Sequence, residues 1–206
     1  MEIYHTIYKG GDGEIVEKKS RFIAEVHPVT SEEEAMEILE QTRKQYWDAR
    51  HHCWAYIIGR NPAAERMSDD GEPAGTAGKP ILEVIRGREL TNVLVIVTRY
   101  FGGIKLGAGG LVRAYSKSVL EAIEASEIIE VEYYDVYNIA FDYSDLKDIE
   151  REIRNSKLTI IQKDFSEKIS YDLVSKNNRN IKEIFEKFHN KIKVNFKNKQ
   201  VLKKIK

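Results

Sequence analysis

Glycine and proline are confined to the first part of this sequence. All 13 glycines lie at or before Gly110, and all four prolines lie at or before Pro80. The residues from 111 to 206 must therefore build their turns without the two residue types that turns use most. Charge divides at a similar place, because residues 1–130 hold 16 basic and 21 acidic side chains whereas residues 131–206 hold 17 and 12. We therefore predict two domains, 1–130 and 131–206.

The hydropathy pattern of the second part alternates between two periods. Apolar residues recur every second position, as in half-buried strands, over 137–141, 158–165, 168–174 and 192–196. They recur every three or four positions, as in helices, over 144–153 and 181–188, with Ser144 as the predicted cap of the first helix. The order β-α-β-β-α-β predicts a ferredoxin-like domain.

The first part also mixes strands and helices. Strands are predicted over 3–8 and 14–26, joined by a hairpin at Gly10–Gly13, and a helix runs from the capping residues Thr30 and Ser31 to about Trp47. Further strands at 53–58 and 93–100 and a helix over 111–125 complete the predicted elements. The fold class is therefore α+β with two domains.

Composition limits the classes of partner and the compartment. Basic and acidic residues number 33 each, so overall charge favours neither a nucleic acid nor a membrane. The longest aliphatic run, Val93–Val97, is far shorter than the ~20 residues of a membrane-spanning helix, and residues 1–20 lack the apolar core of a signal peptide. Cys53 is the single cysteine and cannot form an internal disulfide. We therefore expect a cytoplasmic protein that makes no membrane contact.

The segment from Ser68 to Pro80, the acidic loop, concentrates carboxylates. Asp69, Asp70 and Glu72 stand within four positions, and such carboxylates repel one another unless a cation, amide donors or basic side chains offset their charge. Three glycines and two prolines restrict the shape of this loop. Three interpretations stay open: a solvated turn, a site loop that faces arginine or lysine from elsewhere, and a site for a divalent metal.

A second segment, from Thr98 to Arg113, joins a buried strand to a helix through five glycines, and we call it the glycine loop. Free backbone N–H groups and the positive end of the helix then meet at one place, where Arg99, Lys105 and Arg113 add charge. Phosphate fits such a loop, although the segment has neither a Walker A ending nor a dinucleotide fingerprint. The alternative is that glycine serves only tight packing, with Arg99 and Lys105 paired to the acidic loop.

The neighbours His51, His52 and Cys53 have residue types that bind metals. Adjacent strand residues point to opposite faces, so the two histidines do not readily share one ion, and we predict no metal site. We expect one histidine, His52, to line a cleft and the other to be structural. Nothing nearby in the sequence would activate Cys53 as a nucleophile.

Four stretches together resemble one family. SRFIAEVHPV at 20–29, HHCWAY at 51–56, SDDGEPAGTAGKPIL at 68–82 and VTRYFGGIKLGAGGLVRAY at 97–115 are similar, in order and spacing, to the YigZ/IMPACT family. The glycine-free part resembles the second domain of the bacterial YigZ-type members. The resemblance implies an N-terminal domain like the second domain of the ribosomal small-subunit protein five. It also implies a ferredoxin-like C-terminal domain like the last domain of elongation factor G.

The same resemblance implies a role in translation control, since eukaryotic members regulate a kinase pathway that senses starved ribosomes. The leading hypothesis is a protein that binds RNA or the ribosome, with a protein partner also open and no cofactor expected. The predicted ligand-binding residues are His52, Asp69, Asp70, Glu72, Thr76, Arg99, Lys105, Gly107, Gly109, Gly110 and Arg113. Lysines near the end of the chain are compatible with RNA binding but are more typical of a solvated strand and tail: Lys191, Lys193, Lys197, Lys199, Lys203, Lys204 and Lys206.

The alternative hypothesis is an enzyme. It would act on a phosphorylated small molecule in a cleft between the acidic and glycine loops, with Asp70 or Glu72 as general base. The fold that the resemblance implies is shared with small-molecule kinases, but sharing a fold is only an analogy. Catalysis is the less favoured of the two hypotheses, and no catalytic residue is assigned.

Overall fold

The computed structural model describes residues 3–59, 63–174, 180–188 and 191–205, with only the backbone described at 132–134 and 198–205. The chain divides into two compact units: a front unit of Tyr4–Glu130 with Lys204–Lys206, and a back unit of Met1–Ile3 with Val131–Lys203. That the predicted domains 1–130 and 131–206 fold independently stays a prediction. Within the described ranges, no helix is long and apolar enough to cross a membrane.

The front unit is an antiparallel sheet with helices on both faces. Its elements are β1 (Ile3–Lys9), β2 (Asp12–Glu17), β3 (Ser20–Pro28), α1 (Glu32–Gln45), β4 (His51–Gly59), β5 (Ala63–Ser68), α2 (Gly78–Gly87), β6 (Val93–Tyr100), α3 (Ala108–Glu124) and the start of β7 (Glu127–Phe141). Five strands follow the order β2-β3-β6-β4-β5, whereas β1 pairs with β7. The loops that follow β5 and β6 are the acidic and glycine loops.

Side chains alternate between the two faces of the five-stranded sheet. Val95 and Val97 of β6 pack into the core that α2 and α3 cover. Leu94 and Ile96 belong to a second core with Ala35 and Leu39 of α1. Because helices cover both faces, β6 is an uninterrupted apolar run rather than an alternating one.

The predicted start of α1 is confirmed. The Ser31 hydroxyl accepts a hydrogen bond from the backbone N–H of Glu34 at 3.2 Å. The Glu34 carboxylate in turn accepts from the backbone N–H of Thr30 at 2.7 Å. The first bond satisfies a donor that the first turn of a helix leaves free, and the second fastens the residue before the cap to that turn.

Three expectations for the front unit are wrong. β1 and β2 form no hairpin, because the glycines between them allow close packing instead: a Cβ at Gly11 would lie 2.5 Å from the carbonyl carbon of Ala125, just after α3. The predicted strand 14–26 is two strands, interrupted by a two-residue turn at Lys18–Lys19. The helix predicted over 111–125 is α3, and it begins at Ala108 rather than Leu111. In addition, the sequence patterns did not predict β5 or α2.

The back unit has the predicted ferredoxin-like order. After β7 come a 3₁₀ turn (Tyr143–Asp145), α4 (Leu146–Asn155), β8 (Thr159–Phe165), β9 (Ile169–Val174), α5 (Ile181–Ile184), a second 3₁₀ turn (Glu186–Phe188) and β10 (Ile192–Ile205). The strand order is β10-β7-β9-β8, and the mixed α+β class is confirmed. Two details differ: Ser144 lies in a 3₁₀ turn and caps no helix, and the predicted helix 181–188 is a single α-turn followed by a 3₁₀ turn.

Candidate functional site

The carboxylate of Asp69 is fully engaged within its own loop. One oxygen accepts from the backbone N–H groups of Ala77 and Gly78 at 2.9 and 2.8 Å, and the other accepts from that of Gly75 at 2.8 Å. These donors stand at the start of α2, where Ala77 supplies no side-chain cap. Asp69 therefore shapes the loop and caps the helix, as amide donors offset its charge.

Asp70 ties the acidic loop to two other elements. Its carboxylate accepts from the backbone N–H of His52 at 2.6 Å and from the guanidinium of Arg43 at 3.2 Å. Its backbone carbonyl lies 2.9 Å from Nδ1 of His51. In the described parts of the chain, no group of three or more histidine, cysteine, aspartate or glutamate side chains is arranged to hold a metal ion.

Glu72 and Arg99 form a buried ion pair. Arg99 Nη1 donates to Glu72 Oε1 at 2.5 Å, and the two side chains are only 6% and 4% exposed. The hydroxyl of Tyr115, on α3, donates to the same carboxylate oxygen at 2.9 Å. The guanidinium also lies 5.2 Å from the ring centre of Phe22. The pair therefore fastens the acidic loop to the end of β6 and to α3, beneath the surface.

The thiol of Cys53 belongs to the same buried network. It lies 3.0 Å from the backbone carbonyl of Asp69 and 3.3 Å from the hydroxyl of Tyr115. Burial raises the pKa of the Cys53 thiol, and burial likewise raises the pKa of the Tyr115 hydroxyl. A protonated, buried thiol is a poor nucleophile, so the geometry gives Cys53 a structural role.

The glycine loop has one end packed tightly and the other end open. A Cβ at Gly102 would lie 2.0 Å from the carbonyl carbon of Lys19, and the N–H of Gly102 donates to the Ser20 hydroxyl at 3.1 Å. Gly103 and Gly107 have φ angles of 84° and 73°, which favour glycine, and no atom lies within 4 Å of where a Cβ would be. Packing thus explains Gly102, whereas Gly103 and Gly107 leave free space.

The N-terminus of α3 lies at this open end. Gly107 precedes the helix without a side-chain hydrogen bond to it, and the first turn contains no acidic residue. The backbone N–H groups of Ala108, Gly109 and Gly110 have no acceptor within the helix. Lys105 and Arg113 are exposed beside them. This arrangement offers backbone donors, a helix dipole and two cations to an anion.

The predicted site residues therefore lie in three places: the acidic loop with its buried network, the open end of the glycine loop and, for His52, the α1 face of the sheet. Glu72 and Arg99 form the ion pair expected between the loops, but neither Lys105 nor Arg113 pairs with an acidic-loop carboxylate in the described residues. Thr76 is buried and donates to the carbonyl of Pro73 at 2.6 Å. A ligand-binding role for Asp69, Asp70, Glu72, Thr76 and Arg99 stays a prediction: each contacts protein, although the buried Nε of Arg99 has no hydrogen-bond partner among the described residues. Lys105, Gly107, Gly109, Gly110 and Arg113 lie together at the open end.

The sequence analysis did not include two residues of the buried network. Ser20 contacts both Gly102 and Arg99, and Tyr115 contacts both Glu72 and Cys53. Tyr115 lies on the most apolar face of α3, where the sequence pattern predicts a core residue and does not indicate that its hydroxyl makes polar contacts. Ser20 follows the Lys18–Lys19 turn, and a recognised hairpin would have paired it with Glu17.

His52 points to the other face of the sheet. Its Nε2 atom is buried on the α1 face and has no hydrogen-bond partner among the described residues. The same is true of three neighbouring polar atoms on that face: Glu25 Oε2, His27 Nε2 and Thr98 Oγ1. Burial lowers the pKa of His52, which favours its neutral form. Because a sheet separates its side chain from Glu72 and Arg99, His52 does not join their network.

Glu25, on the same face, makes the stability of the folded protein depend on pH in a testable way. Burial and the charge of Asp12, its cross-strand neighbour, raise the pKa of Glu25 from 4.5 to about 7. The folded protein therefore holds a proton that the unfolded chain releases between pH 4.5 and 7, so Glu25 lowers stability progressively as the pH rises through that window. Glu25→Gln should raise the free energy of unfolding by about 2 kcal/mol above pH 7 and change it little below pH 4.5.

Urea unfolding at both pH values measures this effect. Glu14→Gln is the matched control on β2, because the hydrogen bond from Arg21 lowers the pKa of Glu14 and the variant should gain no stability above pH 7. A gain from Glu25→Gln that is equal at both pH values would contradict the assigned cause.

The chain is similar to known proteins over most of its length. The model of the Impact N-terminal domain matches residues 18–123, which include both loops and α3 up to Ile123. The chain is 44% identical over 172 residues to IMPACT family member YvyE of Bacillus subtilis, covering 84% of this chain and 79% of YvyE. It is 38% identical over 150 residues to IMPACT family member YigZ of Escherichia coli, covering 72% and 74%. A solved structure of an hypothetical protein aligns over 96% of this chain and 98% of its own, with 30% identity and a TM-score of 0.65.

Proposed function

The chain belongs to the IMPACT family, and from that premise we propose that it is a regulator of translation that binds RNA, including RNA of the ribosome, through the open end of its glycine loop. The observation that carries this proposal is the uncapped N-terminus of α3, with Lys105 and Arg113 exposed beside it. Phosphate is the anion that such a helix end accommodates, and RNA presents a phosphate at every nucleotide.

The buried network supports this function indirectly. The Glu72–Arg99 pair fixes the end of β6, and the contact of Gly102 with Lys19 and Ser20 fixes the start of the glycine loop. The loop therefore leaves a rigid base and reaches α3 with its donors already oriented. Donors that are oriented before binding lose less entropy when the ligand arrives.

The lysines of the back unit give weaker support. Lys191 pairs with Asp145 at 2.8 Å, and Lys197 pairs with Asp172 at 2.6 Å. The side chains of Lys199, Lys203, Lys204 and Lys206 lie outside the described residues. A contact between RNA and the back unit, like a protein partner for the chain, stays a prediction.

The enzyme hypothesis has less to support it than RNA binding. A general base near the glycine loop would need a carboxylate free to take a proton from a substrate. Asp69 accepts three backbone hydrogen bonds, and Asp70 and Glu72 each accept from two protein donors. These contacts favour a structural role for the acidic loop.

The proposal is tested by RNA binding at two salt concentrations. Arg113→Gln should weaken binding about fivefold at the lower salt and reduce the slope of log K against log[salt] by about 0.7, the value for one phosphate contact on a single strand. The loss should be the same for uridine and adenosine homopolymers, because phosphate contacts carry no base information. Fluorescence anisotropy of labelled RNA gives both quantities.

The matched control is Arg86→Gln, an exposed arginine on α2 that pairs with Glu65. Its RNA affinity should equal that of the unmodified protein. Absence of RNA binding by the unmodified protein, or a loss in the Arg113 variant confined to one base sequence, would contradict the proposal. Turnover of a phosphorylated metabolite would favour the enzyme instead.

A further inference from the structure

A groove of about 250 Å³ lies next to the open end of the glycine loop, between the turn that joins β2 to β3 and the first turns of α3. Its apolar lining consists of Ile15, Leu106 and Ala114, together with the backbone of Gly110. Its charged lining consists of Lys18, Arg113, Lys117 and one carboxylate, Glu17. We call it the lysine-turn groove. The sequence analysis assigned no role to Lys18 or Lys117.

The cations of the lysine-turn groove are unpaired, unlike six arginines elsewhere in the front unit. Ion pairs with carboxylates neutralise Arg21, Arg43, Arg66, Arg86, Arg88 and Arg99. Across the described residues, Lys18, Arg113 and Lys117 have no such partner. The lining therefore has an excess of positive charge that the protein itself does not offset, which is complementary to a polyanion.

The turn at the mouth of the groove is an independent observation. Lys18 and Lys19 have φ angles of 46° and 65°, so both residues of a two-residue hairpin turn are in the left-handed region. Turns with two such residues favour Asn-Gly, because glycine adopts this conformation without a steric penalty. Lysine is unfavourable here for the backbone, and strained residues of this kind cluster at functional sites. What Lys18 adds is charge at the groove.

The positions on α3 fit a chain of linked phosphates. Gly109, Arg113 and Lys117 are spaced four residues apart, so they lie on one face of the helix at intervals of about 6 Å along its axis. The described lining contains no aromatic side chain on which a base could stack. The groove thus offers several cations in a row and an apolar floor, without groups that distinguish one base from another.

We infer that the lysine-turn groove holds successive phosphates of an RNA strand whose neighbouring phosphate lies at the N-terminus of α3, an inference that rests on the proposed function. Lys18 and Lys117 then contact RNA in addition to Arg113. Binding through this groove is independent of base sequence, because every contact is made to the backbone.

The decisive variant is Lys18→Asn/Lys19→Gly, which replaces the turn by the sequence its backbone conformation favours. We expect Tm to rise by about 3 °C, since the strain is relieved. RNA affinity should fall about tenfold at low salt, and the salt slope should fall by about 0.7 for each phosphate contact removed. A variant that is more stable but binds RNA more weakly would show that the lysines of the turn serve RNA binding and not folding.

Lys117→Gln, on the exposed face of α3, is the second variant and should weaken binding about fivefold without changing Tm. Lys44→Gln, at an exposed position near the end of α1, is the control and should bind as the unmodified protein does. Inorganic phosphate and pyrophosphate serve as competitors, and both should displace RNA far less effectively than unlabelled RNA does.

The outcomes distinguish the inference from the function on which it rests. If Lys18→Asn/Lys19→Gly and Lys117→Gln both bind RNA with unchanged affinity and salt slope while Arg113→Gln is impaired, the groove is not the site and the proposed function stands. If the unmodified protein does not bind RNA, both are wrong. Displacement by pyrophosphate as effective as that by RNA would assign the groove to a small polyphosphate and overturn the inference.

Discussion

Replacing Arg99 by methionine is expected to lower the free energy of unfolding by about 3–5 kcal/mol. Methionine retains the apolar contact with Phe22 but removes the guanidinium that donates to Glu72. The Glu72 side chain is 4% exposed, so its charge cannot recover the lost interaction from water. An uncompensated buried charge costs far more than the loss of an ion pair at the surface. Urea denaturation at neutral pH measures the change.

Two further variants identify the cause. Arg99→Met/Glu72→Gln removes both charges and should recover about 1–2 kcal/mol of the loss, since the remaining groups are neutral. Arg86→Met removes an arginine that is 55% exposed and paired with Glu65, and should cost less than 1 kcal/mol. A double variant no more stable than Arg99→Met would show that lost packing, rather than the isolated charge, is responsible.

Gly102→Ala is expected to lower the free energy of unfolding by about 3 kcal/mol. The added Cβ would lie 2.0 Å from the carbonyl carbon of Lys19 and 2.4 Å from the backbone nitrogen of Ser20. Backbone on both sides cannot rotate away as a side chain does, so the loop and the turn must separate. The hydrogen bond from Gly102 to the Ser20 hydroxyl would be strained by the same movement. Thermal and urea unfolding both report the loss.

Gly87→Ala is the control for this substitution. Gly87 ends α2, and no atom lies within 4 Å of where its Cβ would be. Alanine there should leave stability unchanged or raise it by up to about 1 kcal/mol, since alanine restricts the unfolded chain and favours helix. Equal effects of Gly87→Ala and Gly102→Ala would mean that general backbone flexibility, rather than the close approach of Lys19, explains Gly102.

Local patterns in the sequence were sufficient for some parts of this fold. The start of α1 was predictable because Ser31 and Glu34 interact within one turn of helix. The ferredoxin-like order of the back unit followed from alternating and helical periods in consecutive segments. The Glu72–Arg99 pair was predictable as a requirement of charge, since clustered carboxylates need an opposing group.

Other parts depend on contacts that local patterns do not encode. The pairing of β1 with β7 joins segments far apart in the sequence, whereas the intervening glycines indicate a hairpin by residue type alone. The turn at Lys18–Lys19 has none of the residues that mark a two-residue hairpin, so the sequence analysis extended one strand through it. The open end of the glycine loop became distinct from its packed end only once the distance from Gly102 to Lys19 was known.

The burial of Cys53 has a consequence for how the protein responds to oxidants. The thiol is 0% exposed and its pKa is raised, so the folded protein offers no reactive thiol to peroxide or to a disulfide reagent. The single cysteine becomes reactive only in molecules that have opened. Oxidation of Cys53 or formation of an intermolecular disulfide would trap the opened chain, so that a reversible opening becomes irreversible unfolding. The rate at which this thiol is oxidised is therefore determined by how often the front unit opens, not by the concentration of oxidant at the surface of the folded protein.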